Sequence, residues 1–178
     1  GDFEGAAEIF SGDTGTAIRL TRRGVVAYAQ VLSQLERNES GSELITASFG
    51  GGLDPYLETI KAQLDAGETI AFDTVTNATD GVAEVYYSIA TALRGEAQDP
   101  YTLIYTRMAA ALRPDHVDSL LLSAELLENL ERYDLATEVY DSVPRDNPSF
   151  HAAELGRAEA LRRSGRDDAA IEVLKQLA

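Results

Sequence analysis

Cysteine does not occur in the 178 residues, so disulfides, thiolate nucleophiles and thiolate metal sites are excluded together. Tryptophan is absent, methionine occurs once, and aromatic residues make up only 7% of the chain. Any core must be built from aliphatic and small side chains. No apolar run approaches the roughly 18 residues a membrane-spanning helix needs. Basic residues are scarce beside acidic ones, 15 against 30, for a net charge of −15. Such a chain repels phosphate backbones and anionic lipid surfaces, which argues against nucleic-acid binding and membrane insertion. The charge fits solubility or a basic partner. No signal peptide is visible and the first residue is Gly1 rather than Met, so the expectation is a piece of a longer protein.

What is present is alanine, leucine and a period. The apolar share, 44%, is ordinary for a chain that buries a core. From about residue 83 the sequence repeats with a spacing of 34. Ala90, Ala124 and Ala158 are in phase, as are Leu93, Leu127 and Leu161. Thr102, Ala136 and Ala170 follow, then Thr106, Tyr140 and Leu174, then Ala109, Val143 and Leu177. Pro114 and Pro148 share the phase. The physical reading is a unit of two antiparallel helices. The small residues let the two helices touch, the leucines fill the space between units, and the prolines end one unit and aim the next.

Local signals predict helices over 83–94, 100–113, 117–130, 133–143, 149–163 and 167–177. Asp99-Pro100 and Asn147-Pro148 read as an N-cap followed by proline at the first helical position. Gly165 reads as a helix stop. Upstream, Phe3, Ala6 and Phe10 suggest a second helix whose partner is missing. Residues 17–37 place Val25, Tyr28, Ala29, Leu32 and Leu35 on one face, with Leu44, Ile45 and Phe49 as a partner helix. Gly50-Gly51-Gly52 breaks the chain, and Asp54-Pro55 starts a short helix over 54–66. The β-branched run from Thr69 to Thr76 disfavours a helix and predicts an extended connection over 68–80, with packed β structure as the alternative.

These residues resemble the tetratricopeptide repeat, whose signature is W-x2-L-G-x2-Y, then A-x3-F, then P, over 34 residues. Its slots hold Tyr86, Ile89-Ala90, Leu93, Thr102, Thr106 and Pro114 in the first unit. They hold Leu120, Ser123-Ala124, Leu127, Ala136, Tyr140 and Pro148 in the second. In the third they hold Glu154, Arg157-Ala158, Leu161, Ala170 and Leu174. Thr102, Thr106, Ser123, Glu154 and Arg157 depart from the pattern. The chain as a whole resembles the central part of long bacterial proteins of this family. The resemblance implies an all-α, right-handed superhelical array of antiparallel helix pairs, an α-solenoid. It divides the chain into degenerate helices over 1–49, with the first helix of the first repeat missing, an irregular insertion with one short helix over 50–82, and three in-phase units, 83–116, 117–150 and 151–178.

In such arrays the first helix of each unit lines a concave face. Helical spacing then selects Tyr87, Thr91 and Arg94 in the first unit, Leu121, Glu125 and Glu128 in the second, and Leu155, Glu159 and Arg162 in the third. The stripe Tyr87–Leu121–Leu155 is apolar with a charged rim, a surface suited to a helix or an extended peptide. It would equally be covered by further repeats or by the inserted segment. Relatives that clamp a C-terminal carboxylate place Lys and Asn on this face. Here those places carry Tyr87, Leu121 and Leu155, then Thr91, Glu125 and Glu159, and glutamates would repel a carboxylate.

Signals for chemistry are few. His116 and His151 each sit near the start of a first helix, on neighbouring units, and read as structural or solvent-exposed. Gly-x-Ser-x-Gly is absent, and no Gly-Lys-Ser/Thr follows the glycine triplet. No calcium-loop pattern occurs. The expectation is a protein- or peptide-binding scaffold that is not an enzyme, with no catalytic residues, metal or cofactor. Nucleic acid and membrane insertion are not expected, while a homodimer through exposed repeat ends is. An architectural spacer or self-association segment is the alternative, and an enzyme, or an enzyme's accessory domain, with its site in 38–80 is the third reading. The bacterial resemblance leaves cytoplasm and periplasm both open.

Overall fold

The computed structural model describes residues 1–12 and 21–177. Residues 17–20 of the predicted helical stretch 17–37, and Ala178, lie outside the described residues. The described residues form ten α-helices and no strand. The chain is organised as two compact units, Gly1–Thr76 and Asn77–Ala178.

The first unit contains α1 (Phe3–Ser11), α2 (Arg22–Gln34), α3 (Asn38–Phe49) and α4 (Pro55–Asp65). Its core is aliphatic, as the composition requires. Val25, Val26 and Ala29 of α2 meet Ile45 of α3 and Leu57, Ile60 and Leu64 of α4. Phe10 stacks on Tyr28 at 5.1 Å between ring centres, fastening α1 to α2. The Asp54-Pro55 start reads correctly: the Asp54 carboxylate accepts hydrogen bonds from the Tyr56 and Leu57 amides at 3.0 and 3.1 Å. Arg22 reaches across to the same carboxylate, at 2.7 Å.

After Gly67 the chain runs along α2 in an irregular strap, with neither helix nor strand through Thr76. Four polar side chains of α2 and the start of α3 hold it. Ser33 accepts from the Ile70 amide at 2.9 Å, and Gln34 Nε2 donates to the Ile70 carbonyl at 2.6 Å. Asn38 Nδ2 donates to the Glu68 carbonyl at 3.0 Å. Gln30, 1% exposed, donates to Asp73 at 2.7 Å and accepts from the Thr74 hydroxyl at 2.8 Å.

The second unit contains α5 (Ala78–Leu93), α6 (Asp99–Leu112), α7 (Val117–Asn129), α8 (Tyr133–Asp141), α9 (Phe150–Arg163) and α10 (Asp167–Leu177), each packed on the next. The period of 34 appears as burial. Ala90, Ala124, Ala136 and Ala109 are fully inaccessible, and Ala158 and Ala170 nearly so. Leu127 and Leu161 are buried between neighbouring helices. The departures from the pattern are accommodated individually. Thr106 returns its hydroxyl to the Leu103 carbonyl at 3.0 Å. Glu154, although buried, is paired with Arg157 at 2.6 Å, which also holds Asp141 at 2.7 Å. The Thr102 and Ser123 hydroxyls are buried without a partner among the described residues.

Two helix starts are corrected. Asp99 is the first residue of α6, and Gln98 holds the cap position without a side-chain bond. Asn147 caps a turn ahead of α9, its carboxamide oxygen accepting from the Ser149 amide at 2.9 Å. In addition, α5 begins five residues before the predicted 83, because Asn77 accepts from the Asp80 amide at 3.0 Å and serves as its cap. The Thr74-Val75-Thr76 run extended the predicted connection to 80, whereas the Asn77 cap ends it.

The turns α2–α3, α7–α8 and α9–α10 share one geometry. Glu36 and Glu131 adopt left-handed φ values of 60° and 57°, and Gly165 adopts 79°. In each case the next residue is arginine. The Arg37, Arg132 and Arg166 amides donate to the carbonyls of Leu32, Leu127 and Leu161 at 2.8, 2.8 and 2.9 Å. This is the Schellman closure, which satisfies carbonyls left open at a helix end.

Candidate functional site

The first helices of the three pairs, α5, α7 and α9, carry eight of the nine residues selected from the sequence, and the ninth, Arg94, is the residue that ends α5. Tyr87 and Thr91 from α5 and Arg94 at its C-terminal cap, with Leu121 and Glu125 from α7, line one cavity of about 320 Å³. Asp118, Leu122, Tyr140 and Ala152 complete it. Leu155, Glu159 and Arg162 from α9 line a second cavity of about 650 Å³, closed by Ala158 and by Asp167, Ala170, Ile171 and Leu174 at α10. Glu128 lines neither. Its carboxylate instead accepts the Tyr140 hydroxyl at 2.7 Å.

The stripe is only partly open. Tyr87 packs against the cluster of Ala90, Leu122 and Leu126, with its ring 5.0 Å from that of His116. Leu121 lies half-buried against Leu120, Ala124 and their neighbours. Leu155 is the open member, 47% exposed. Arg94 forms an ion pair with Glu125, joining α5 to α7 across the first cavity. On α9, Glu159 accepts from both Arg162 and Arg163, at 2.7 and 3.0 Å. Those two hydrogen bonds hold the Glu159 carboxyl down at about 2. The groove is therefore charged but internally paired.

Tyr140 reaches the first cavity from a second helix, α8. Its approach depends on Gly156 of α9, where a Cβ would lie 2.5 Å from the Tyr140 ring. Burial, then the bond to the Glu128 carboxylate, raises the Tyr140 hydroxyl above its ordinary range, so it remains a proton donor. Sequence reasoning gave Tyr140 only a repeat slot, in phase with Thr106 and Leu174. The signal that would have placed it at the cavity is the glycine at 156, opposite a bulky side chain. Ile171 and Leu174 were also missed, because helical spacing was applied to the first helices alone, and so was Asp118, three residues before Leu121 on α7, because the spacing was started at Leu121.

His116 is buried and occupied. Its Nδ1 accepts from the Ser119 amide at 3.1 Å and caps α7. That leaves the proton on Nε2, which donates to Glu84 at 3.1 Å. Arg113 stands 3.5 Å from the same carboxylate. His151 is exposed in the first turn of α9. Among the described residues no group of three or more His, Asp or Glu side chains could hold a metal ion. No described helix is long and apolar enough to cross a membrane.

No family model matches the chain, and no curated protein matches it. Two crystal structures of MamA are similar to it. Each aligns with a TM-score of 0.50 at 16% identity over 99% of this chain, covering 81% of one MamA chain and 86% of the other. At that identity the likeness shows the fold alone. Together with the ten helices, it makes this chain a helical-repeat protein of the α-solenoid class.

Proposed function

We propose that this chain is a scaffold that holds another protein or a peptide in the groove formed by α5, α7 and α9, by complementarity of shape and charge and without covalent chemistry. The observation that carries this reading is the convergence of Tyr87, Thr91, Arg94, Leu121 and Glu125, from two successive first helices, on one cavity. Leu155, Glu159 and Arg162 extend the same face to a second. Apolar positions alternate there with paired charges. The pairs Arg94–Glu125 and Arg162–Glu159 are exposed, so each contributes little to folding and exchanges readily for a ligand's charge. Glu128 and Asp118 add negative charge beside the first cavity. A ligand with an apolar anchor and basic flanks matches that lining.

The test is an affinity pull-down from lysate of the source cell, comparing the chain with its Leu121→Glu, Leu155→Glu double variant by mass spectrometry. Circular dichroism checks the variant's helicity. A protein retained by the chain and lost by the folded variant supports the groove and identifies the ligand. Identical captures from both would move the binding surface elsewhere.

A further inference from the structure

The Schellman closures put α2 and α7 in one register. The Arg37 and Arg132 amides close on Leu32 and Leu127, so residues equally far from those leucines hold equivalent places. Ala29 and Ala124, both fully inaccessible, match in this way. Gln30 then matches Glu125, Ser33 matches Glu128, and Gln34 matches Asn129. These places are covered on α2 and open on α7. Gln30 and Ser33 are buried, whereas Glu125 and Glu128 are half-buried and Asn129 is exposed. What covers the α2 places is the chain's own strap. It runs opposite to the helix, from Asn38 back toward Gln30, with its backbone extended beside the side chains. The Ile70 amide donates to Ser33, its carbonyl accepts from Gln34, and Asp73 and Thr74 bond to Gln30.

We propose that α7 holds a segment of another protein as α2 holds the strap: extended, running opposite to the helix, with lysine or arginine where the strap has Asp73. The inference rests on the reading of this face as a binding groove, and it names the ligand's conformation and charge. An extended segment presents free amides and carbonyls, whereas a helix has paired its own. The α7 ladder suits such backbone. Asn129 keeps the carboxamide that Gln34 offers to a carbonyl, and the Glu128 carboxylate can accept an amide proton where Ser33 does. Glu125 changes the specificity. Gln30 donates to the Asp73 carboxylate, but a carboxylate in its place has nothing to donate and pairs with a cation. A cation already stands there, since the Arg94 guanidinium bonds to Glu125. That pair is exposed, and a ligand's lysine or arginine exchanges with it.

The strap itself supplies the probes. Two synthetic peptides, residues 68–76 as they stand and the same segment with Asp73→Lys, are titrated into the full 178-residue chain. Amide shifts in its NMR spectrum locate binding. The Asp73→Lys peptide should shift the amides of Leu121, Glu125, Glu128 and Asn129 and bind about tenfold more tightly than the unchanged peptide. Glu125→Gln restores the α2 chemistry, so it should abolish that preference or reverse it. Glu138→Gln, at an exposed place on α8, removes the same charge and should leave the preference intact. The absence of shifts on α7 at millimolar peptide overturns the proposal. Equal binding of a scrambled peptide of the same composition, or a preference that survives Glu125→Gln, overturns it too. A pull-down ligand that seats on the groove as a helix overturns this inference while leaving the scaffold reading in place. Identical captures by the chain and its Leu121→Glu, Leu155→Glu variant remove both.

Discussion

At the scale of single residues, the second unit depends on where a side chain is missing. Gly156 gives Tyr140 the space to reach Glu128. An alanine there gains about 1 kcal/mol of helix propensity. It also drives a methyl group into the tyrosine ring, and overpacking of this kind costs about 1–3 kcal/mol. Gly156→Ala should therefore give a net loss of stability in urea unfolding and release the Tyr140–Glu128 bond. Glu131 presents the reverse case, since its left-handed backbone is strained for any residue with a Cβ. Glu131→Gly should raise stability by about 1 kcal/mol, read as a higher denaturation midpoint. For Glu159, the carboxylate carbon should titrate by NMR with a midpoint of about 2 and move upward in the Arg162→Gln, Arg163→Gln double variant. The sign follows from the lowered value. Whatever Glu159 contributes is present above the ordinary carboxylate range and is lost as the pH falls toward 2.

At the scale of helices, contact rests on small residues repeated in phase. Ala124 and Ala158 are 0% and 4% exposed, each on the first helix of its pair. Ala124→Arg or Ala158→Arg should collapse cooperative unfolding of residues 77–177, and an unchanged thermal transition would contradict the packing described. This level was the most legible in the sequence. A period of 34 with alanine in fixed slots specifies which faces touch, and the six helices of the second unit follow it. Helix starts were less legible. A cap is decided by one side chain finding one amide, and Asn77, Asp99 and Asn147 look alike in sequence while doing three different things. The groove was partly legible, because its first-helix members follow from spacing. Tyr140 and the α10 residues did not, because their place depends on how close neighbouring helices come.

At the scale of the molecule, the two units have separate cores, and destabilising one should show it. Leu57 is 2% exposed among the α2, α3 and α4 core residues. Leu57→Ala should cost about 2–5 kcal/mol, felt in hydrogen exchange of residues 21–76. Exchange of the buried amides in α7 and α8 should hardly change. The boundary between the units was not readable from composition. Gly50-Gly51-Gly52 suggested a break, yet the glycines lie within the first unit, ahead of a helix that shares its core. The stretch that looked like a connection, 68–76, is held instead by side chains far away in sequence, a pairing no local pattern announces.

That strap has a practical consequence for anyone dividing the gene. A cut after Gly67, where the last helix of the first unit has ended, is the obvious choice. It would leave Gln30, Ser33, Gln34 and Asn38 facing water in place of the backbone they hold, and two of them are 1% exposed in the intact chain. A shortened first half would be loosened along α2. The cut that preserves the first half falls nine residues later, after Thr76.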